Sequence, residues 1–365
     1  GVRAETSRAL AKVRMAQEAC AEQRRVTQEA EQLKAQIDGL LFDYCRTRLV
    51  PKIPAMDPSL PRGMPTSLGG TSLGPLLGKG ASGSVYLLEG TAGVAKVMSK
   101  AAMPNIESVR YLNRMIDIMQ TVSLEKYAHP NITQLYSIFH SRTHITFVME
   151  NGGPENLYRR LVARVEQGNR RRPLPDTKAL SLTAQALAAV THLHLGPGVC
   201  HRDLKPENFI VHESQEALAL MLTDFDLAAG CSCGGDDGWF RSPCGTPPFT
   251  APEVLLDSRY HGFTADVWSL GTVLLELLCG ARCMERALQL RAPQQGQGGE
   301  AFRVEIAQSL RQHFSQPHAA KHLLQRCLPE LQGLCLISGP TLVRMLAVDT
   351  RSRSTSSQLR TEQRR

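Results

Sequence analysis

The sequence predicts an α+β fold in which short strands come first and long helices follow. Apolar strand patterns flank a glycine-rich turn within residues 77–96 and return at residues 145–150. Later segments, such as 180–195 and 264–278, carry apolar residues at helical spacing over many more positions. Short apolar runs bounded by turn residues favour strands, and long segments of helical period favour helices.

Composition restricts the class of protein. The 365 residues are 42% hydrophobic and 21% charged, so the chain can bury a large core, and its length suggests two or three packing units. The net charge of +8 is scattered, and its densest runs lie at 170–172 and 351–365. We therefore expect no nucleic-acid partner. No apolar run approaches the roughly 18 residues of a membrane span, so we expect none.

The ten cysteines show no regular spacing, which favours reduced thiols over a disulfide framework. Cys231 and Cys233 are closer together than the usual zinc-binding pair. We therefore expect an intracellular protein, cytoplasmic with the nucleus left open. The chain begins with Gly1 rather than Met, which is compatible with a piece of a longer protein.

Residues 1–50 are rich in Ala, Glu, Gln and Arg, a composition that favours a helix. Apolar or small residues form a seam of under three heptads at Val26, Ala30, Leu33, Ile37, Leu40 and Tyr44. The favoured interpretation is an amphipathic helix on the protein's own surface. The alternative is a short coiled coil used for self-association or docking. Residues 51–72 are rich in Pro and Gly, which predicts a linker.

The stretch from His201 to Asn208 reads HRDLKPEN, and a second acidic segment, TDFDLA, contains Asp224. Two acids and an amide on loops between apolar runs can converge on one point. Phosphoryl transfer needs an acceptor for the hydroxyl proton, oxygen ligands for a metal and a cation near the moving phosphoryl group. Asp203, then Asn208 with Asp224, and then Lys205 can fill these roles in turn.

These segments resemble the catalytic loop H-R-D-x-x-x-x-N and the D-F-G motif of eukaryotic protein kinases. Lys205 is typical of the serine/threonine type, and the calcium/calmodulin-dependent-like group is the candidate subgroup. The resemblance implies a two-lobed fold at 73–362, with a small β-sheet lobe and helix αC at 73–150 and a mainly helical lobe at 154–362. It also implies ATP, Mg2+ and a protein substrate that carries Ser or Thr.

Further motifs extend the resemblance to nucleotide binding. The stretch LGKGASGSV, residues 77–85, fits the glycine-rich loop, in which glycines let backbone N–H groups approach phosphates. Alone it would also fit a plain hairpin, but Lys96 follows on the next strand, where the family has its phosphate-pairing lysine. ITFVMEN resembles the adenine-binding hinge, with Met149 as gatekeeper. The implied nucleotide-binding set is Leu77, Gly78, Gly80, Gly83, Val85, Lys96, Met149, Glu150, Asn208 and Asp224.

The chain departs from the family at two positions. Gln120 stands where helix αC of the family carries the glutamate that pairs with the strand lysine, here Lys96. If the register of the helix is shifted, Asp117 or Glu125 could supply the carboxylate instead, and the choice between a lost glutamate and a shifted register stays open. Asp226 replaces the glycine of D-F-G, and we expect a positive φ there to cost about 1–2 kcal/mol. These departures motivate an alternative function, a pseudokinase scaffold with weak or no phosphoryl transfer. A third alternative is an adaptor that self-associates through residues 26–44.

The segment from Ser242 to Glu253 resembles the end of the kinase activation segment. The resemblance places Thr246 against the catalytic loop as a third catalytic residue, pairs Glu253 with Arg353, and makes Asp266 a brace of the loop backbone. His201 is expected to hold the loop. Arg202 is expected to await an anion, for which a phosphate on Ser242 is the hypothesis and an unmodified turn serine the alternative. Residues 230–241 and 289–300 are predicted to be flexible loops, and Glu155 and Glu207 are candidates for attracting basic substrate residues.

Overall fold

The structure is a computed structural model that describes residues 15–32, 53–60, 63–80, 82–103, 105–166, 174, 176–214, 218–230, 238–290, 299–316, 318–327 and 339–363. The chain divides into two compact units. The first, the sheet unit, comprises Gly1–Glu89, Ala95–Asn113 and Ile138–Phe147; the second, the helical unit, comprises Gly90–Val94, Arg114–Ser137 and Val148–Arg365.

Six strands form the main sheet, in the order β1-β2-β3-β4-β6-β5. Strands β2 and β3 are antiparallel and enclose the glycine-rich turn. Strand β4 reads GVAKVMS and is buried along almost its whole length, as a strand with neighbours on both sides should be. The bounds are β1 Ser67–Leu68, β2 Thr71–Lys79, β3 Ser84–Leu88, β4 Gly93–Ser99, β5 Leu135–His140 and β6 His144–Glu150.

The segment predicted as a linker contains regular structure in its described part. Strand β1 and the start of β2 lie within 51–72 and pair with each other. Ile53 is buried, and the backbone amide of Asp57 donates to the carbonyl oxygen of His140 at 2.9 Å. Prolines and glycines resist long elements, but they did not prevent this segment from pairing its backbone with the sheet.

The N-terminal helix is present over residues 15–32, here called α1, and every described residue in it is exposed. Val26, the first residue of the predicted seam, is 53% exposed. The later seam residues, Leu33 to Tyr44, lie outside the described residues. The coiled coil therefore stays a prediction.

Helices dominate the rest of the chain. The segments 180–195 and 264–278, predicted to be helical, lie within observed helices that begin slightly earlier. Helix α2 ends at Val122 and is followed by a separate 3-10 turn, Glu125–Tyr127. The bounds are α2 Ile106–Val122, α3 Leu157–Glu166, α4 Asp176–Leu195, α5 Pro252–Leu256, α6 Gly262–Cys279, α7 Cys283–Leu288, α8 Glu300–Phe314, α9 Ala319–Cys327, α10 Gly339–Met345 and α11 Ser356–Gln363.

Short strands carry the loops of the helical unit. Strands β10, β9 and β7 form a three-stranded antiparallel sheet, β8 pairs with β11, and β12 pairs with β13. The pairing of β12 places Trp239 and Phe240 in a strand within the segment predicted to be a flexible insert; residues 231–237 lie outside the described residues. The bounds are β7 Glu155–Asn156, β8 Val199–Cys200, β9 Phe209–Glu213, β10 Leu218–Leu222, β11 Ala229–Gly230, β12 Trp239–Phe240 and β13 Tyr260–His261.

Helix α6 is the centre of the helical unit. It contains the fully buried Trp268 and packs against α4, which in turn packs against α11. Gly280, at φ +91°, ends the helix in a conformation that L-residues rarely adopt. Among the described residues, α6 alone has the length and apolar composition to cross a membrane, yet 78% of it is buried inside the protein, as in a core helix.

The cysteines that the structure describes agree with the expectation of reduced thiols. Five cysteines in the described part of the chain are not in disulfide bonds: Cys20, Cys200, Cys244, Cys279 and Cys283.

Candidate active site

Three side chains of the helical unit form a closed triangle beside the catalytic loop. Lys205 Nζ donates to Asp203 Oδ2 at 2.6 Å and to Thr246 Oγ1 at 3.0 Å. Thr246 Oγ1 donates to Asp203 Oδ1 at 2.8 Å. Both carboxylate oxygens of Asp203 are therefore held, one by a cation and one by a hydroxyl. The loop between β8 and β9 and the activation segment bring these residues together, as the motifs predicted.

The proposed metal ligands are tied to the same loop. Asn208 Nδ2 donates to the backbone oxygen of Asp203 at 2.8 Å, which fixes the orientation of the amide. The backbone of Thr223 bonds on both sides: its amide donates to the carbonyl of Asn208 at 2.9 Å, and its carbonyl accepts from His201 Nε2 at 3.0 Å. Asp224 follows Thr223 directly, so these two bonds fix the position of the Asp224 backbone nitrogen.

The backbone strain expected at Asp226 lies elsewhere. Asp224 has φ +66° and ψ +70°, in the left-handed region, whereas Asp226 belongs to the 3-10 turn Phe225–Leu227 and is not at positive φ. The predicted cost of an L-residue at position 226 was therefore wrong for this conformation. The strain falls on Asp224, and Asp is among the residues that tolerate this region best.

Asp266, at the start of α6, braces the loop as expected. Its Oδ2 accepts from the backbone amide of His201 at 2.7 Å, and its Oδ1 accepts from that of Arg202 at 2.8 Å. Arg202 has φ +67°, a conformation that costs free energy for a non-glycine residue. Two charge-assisted bonds to one carboxylate offset that cost and hold the loop in register.

The side chain of Arg202 already has partners in the chain. Its Nη2 donates to the hydroxyl of Tyr260 at 2.8 Å and to the carbonyl of Ser242 at 3.1 Å, and its guanidinium lies 4.5 Å from the ring centroid of Phe240. Burial raises the pKa of Tyr260, with a further contribution from Cys244, which keeps the hydroxyl protonated. Neutral acceptors and an aromatic face thus hold Arg202 in this structure, and its pairing with an anion stays a prediction. The Ser242 phosphosite stays a prediction.

A buried ion pair ties the activation segment to the C-terminal part of the chain. Arg353 Nη1 and Nη2 donate to the two carboxylate oxygens of Glu253 at 2.5 and 3.1 Å, and both side chains are almost fully buried. Arg353 Nη1 also donates to the carbonyl of Thr264 at 2.9 Å. The bidentate geometry confirms the pairing expected from the two distant motifs.

The glycine-rich turn lies in the sheet unit. Gly78 is opposite Val85 in the β2–β3 register, and Leu77 precedes it on β2. The amide of Gly80 donates to the carbonyl of Gly83 at 2.8 Å and closes the turn. A Cβ on Gly78 would meet nothing within 4 Å, whereas one on Gly83 would lie 2.5 Å from a backbone oxygen of β4. The turn thus offers open backbone at Gly78 and close strand packing at Gly83.

Lys96 lies on a strand, and two of its candidate partners, Gln120 and Asp117, lie on a helix. Lys96 is 8% exposed on β4 in the sheet unit. Gln120 and Asp117 are half-buried on α2 in the helical unit, one turn apart. A spacing of three residues places them on the same helix face. The alternatives for the αC partner stay open.

The proposed hinge lies in the helical unit. Met149 is buried near the end of β6. The amide of Glu150 donates to the carbonyl of Gln134 at 2.9 Å, and the amide of Asn151 donates to the carbonyl of Ala92 at 3.1 Å. Because the amide of Glu150 is engaged, a bond from this residue to adenine would use its carbonyl oxygen.

The two candidates for attracting basic residues differ. Glu155 is paired with Arg160 at 3.0 Å, and Arg160 also contacts Glu213. Burial raises the pKa of Glu207, which lies on the catalytic loop itself. The pairing of Glu155 and the burial of Glu207 both weaken an electrostatic attraction of basic residues, and this role stays a prediction for either residue.

Sequence reasoning missed three residues of this region. Tyr260 binds the Arg202 guanidinium. His194 bonds to Asp266 directly, and Ser356 bonds to His194 and so reaches Asp266 through it. No local pattern marks any of them, because each becomes relevant only through a partner far away in the sequence.

Comparison with known proteins agrees with the motifs. The model of the protein kinase domain matches residues 72–332. CBL-interacting protein kinase 16 of Oryza sativa subsp. japonica is 40% identical over 218 residues, covering 58% of this chain and 44% of the relative. CBL-interacting protein kinase 12 of the same organism is 40% identical over 221 residues, covering 59% and 37%. The chain thus spans less than half the length of these relatives.

Proposed function

The chain belongs to the protein kinase domain family, and on this premise we propose that it is a serine/threonine protein kinase, which transfers the γ-phosphate of ATP to a hydroxyl group of a protein. The triangle of Asp203, Lys205 and Thr246 carries the proposal. It holds a carboxylate, a cation and a hydroxyl at hydrogen-bond distances on loops of one compact unit.

Each member of the triangle has a chemical role. Asp203 accepts the proton of the substrate hydroxyl, and its carboxylate is kept in place by Thr246. Lys205 brings a positive charge to the point where negative charge moves with the phosphoryl group. Positioning and electrostatic stabilisation account for most catalysis in phosphoryl transfer, so a preorganised triangle is the appropriate machinery.

The donor set suits Mg2+. Asn208 Oδ1 and the Asp224 carboxylate are hard oxygen ligands, and the bond from Asn208 Nδ2 to the loop leaves Oδ1 as the ligand atom. Among the described residues, no group of three or more His, Cys, Asp and Glu side chains is arranged to hold a metal, which suits an ion that takes its other ligands from phosphate and water. When bound, Mg2+ neutralises charge on the phosphates.

The sheet unit is proposed to bind the triphosphate. Gly78 and Gly80 offer backbone without a side chain for contact with phosphates, and Lys96 on β4 is the proposed cation for the triphosphate. Leu77 and Val85 are the proposed adenine contacts of the sheet unit, and Met149 and Glu150 are those of the helical unit.

A pseudokinase scaffold is the second candidate, and Gln120 is the observation that favours it. A neutral amide forms weaker bonds to a lysine than a carboxylate does, because charge-assisted bonds are roughly twice as strong. The other motive for this candidate, Asp226, is weaker than expected because that residue carries no positive φ.

Transfer of labelled phosphate from ATP to a generic basic protein separates the two candidates. We expect wild-type transfer, and a loss of at least about 100-fold in Asp203→Asn, in line with removal of a general base. Asp257→Asn is the matched control, because this exposed acid is paired with Arg311 on the surface. Equal signals from the wild type and from Asp203→Asn would refute the kinase proposal and favour the scaffold.

A further inference from the structure

A chain of hydrogen bonds connects the C-terminal helix to the catalytic loop. The hydroxyl of Ser356 lies 2.5 Å from His194 Nδ1, and His194 Nε2 lies 3.0 Å from Asp266 Oδ2. The same carboxylate accepts from the amides of His201 and Arg202. Ser356, on α11, is thus connected to the backbone of the catalytic loop by three successive hydrogen bonds, through His194 and Asp266.

The residues around Ser356 hold it in place. Thr355 and Gln358 form a reciprocal capping box at the start of α11: the Thr355 amide donates to Gln358 Oε1 at 2.9 Å, and the Gln358 amide donates to Thr355 Oγ1 at 3.3 Å. Arg353 is anchored in its buried ion pair just before this cap, and Leu359 is buried just after it. The hydroxyl therefore has little freedom to leave His194.

The donor directions follow from the partners. The Asp266 carboxylate already accepts two backbone amides and can only accept, so the bond from His194 requires a proton on Nε2. In a neutral imidazole the other nitrogen is then an acceptor, and the Ser356 hydroxyl donates to it. Ser356 thereby selects the tautomer in which His194 can bond to Asp266.

Burial excludes hydrolytic chemistry for this Ser–His–Asp arrangement. Ser356, His194 and Asp266 are 7%, 5% and 1% exposed. A nucleophilic serine must meet a substrate, and both oxygens of the Asp are committed to the loop. The arrangement can orient groups, but it cannot attack a substrate.

We propose that Ser356 is a positioning residue for phosphoryl transfer: its hydroxyl fixes His194 as an Nε2 donor, and this bond holds the Asp266 carboxylate where it binds two successive amides of the catalytic loop. The inference rests on the proposed kinase function. It also assigns a role to a helix beyond residues 72–332, the part of the chain that matches the family model.

The test uses the full chain and Ser356→Ala, with ATP and a generic basic protein as substrates. We expect kcat to fall about 5- to 10-fold, equivalent to about 1.0–1.4 kcal/mol of activation free energy, with KM for ATP unchanged within about 2-fold. Ser356→Thr keeps the hydroxyl and should restore most of kcat. Ser357→Ala, an exposed neighbour on the same helix, should behave as the wild type.

Two readouts separate positioning from simple loss of stability. Leu359→Ala destabilises α11 without touching the hydroxyl, so it should lower Tm but keep kcat per folded molecule and the exchange rate of the loop amides. Ser356→Ala should accelerate hydrogen exchange in the peptide 199–204, and ¹⁵N NMR should show His194 leaving the Nε2–H tautomer.

The outcomes are distinguishable. Wild-type kcat and exchange in Ser356→Ala would overturn the inference, as would identical effects in Leu359→Ala. If the wild type transfers no phosphate, the proposed kinase function fails, whereas the exchange and NMR measurements still decide whether Ser356 controls the loop.

Discussion

Replacing Glu276 by Gln should change how the stability of the protein depends on pH. Glu276 lies in the last turn of α6 and is 1% exposed. Burial raises its pKa to about 8, and the neighbouring carboxyls of Glu285 and Glu207 add to the shift. Neither carboxylate oxygen makes a hydrogen bond of normal geometry within the described residues. The nearby backbone amide of Arg282 and the positive charge of Arg286 lower the pKa of Glu276, but by less than burial and the acidic neighbours raise it.

The sign follows from proton linkage. Between the ordinary pKa of 4.5 and the folded pKa of about 8, the folded chain keeps the proton on Glu276 and the unfolded chain does not. The unfolded state therefore binds fewer protons, and the free energy of unfolding falls as pH rises through this window. At about 1.36 kcal/mol per pH unit, the whole window corresponds to an upper bound on the order of 5 kcal/mol.

Urea unfolding at pH 6 and pH 8.5 measures the effect. A glutamine cannot ionise, so the wild type should lose about 2–3 kcal/mol more stability than Glu276→Gln between these two values. Glu300→Gln, which removes an exposed glutamate at the start of α8, should follow the wild type. Parallel stability curves for the wild type and Glu276→Gln would refute the reasoning, because they would mean that Glu276 is ionised in the folded chain.

Three further predictions follow from the geometry. Gly83→Ala forces a Cβ against the backbone of β4, so it should lower the free energy of unfolding by about 1–3 kcal/mol and weaken ATP binding in a fluorescence titration. The control is Gly63→Ala, whose Cβ meets nothing within 4 Å and which should leave both quantities unchanged. Equal effects of the two substitutions would contradict the packing argument. Tyr260→Phe leaves buried Arg202 donors without their acceptor and should lower the free energy of unfolding by about 1–3 kcal/mol in urea, and an unchanged midpoint would argue against that bond. Under the coiled-coil alternative, deleting residues 1–50 should convert a self-associating chain to a monomer in sedimentation. If the full chain and the shortened chain are both monomers, the result supports the favoured surface-helix interpretation.

The motif loops were predictable because their chemistry is local. Residues 201–208 hold a carboxylate, a cation and an amide in one short loop. The contact of Thr246 with this loop was expected from the activation-segment motif. Glu253 and Arg353 were paired from two distant motifs, and the bidentate bond agrees. Such features are readable because a few side chains and a tight loop nearly specify the geometry by themselves.

Other features depend on backbone angles and side-chain partners that the motifs do not specify. The strain assigned to Asp226 falls on Asp224, because the 3-10 turn after it sets the backbone angles. Arg202 is occupied by Tyr260, which no pattern in the activation segment indicates. Glu155 is paired with Arg160 on the following helix and is therefore not a free acid for a substrate.

The sequence by itself determined the α+β class, the order of the elements, the identity of the triangle residues and the ion pair of the activation segment. Only the tertiary structure decided that Glu276 is buried among acids, that Arg202 has neutral partners and that Ser356 lies three hydrogen bonds from the catalytic loop. The physical reason is that local patterns encode backbone conformation and polarity. Burial and hydrogen bonding depend on which distant segment packs alongside.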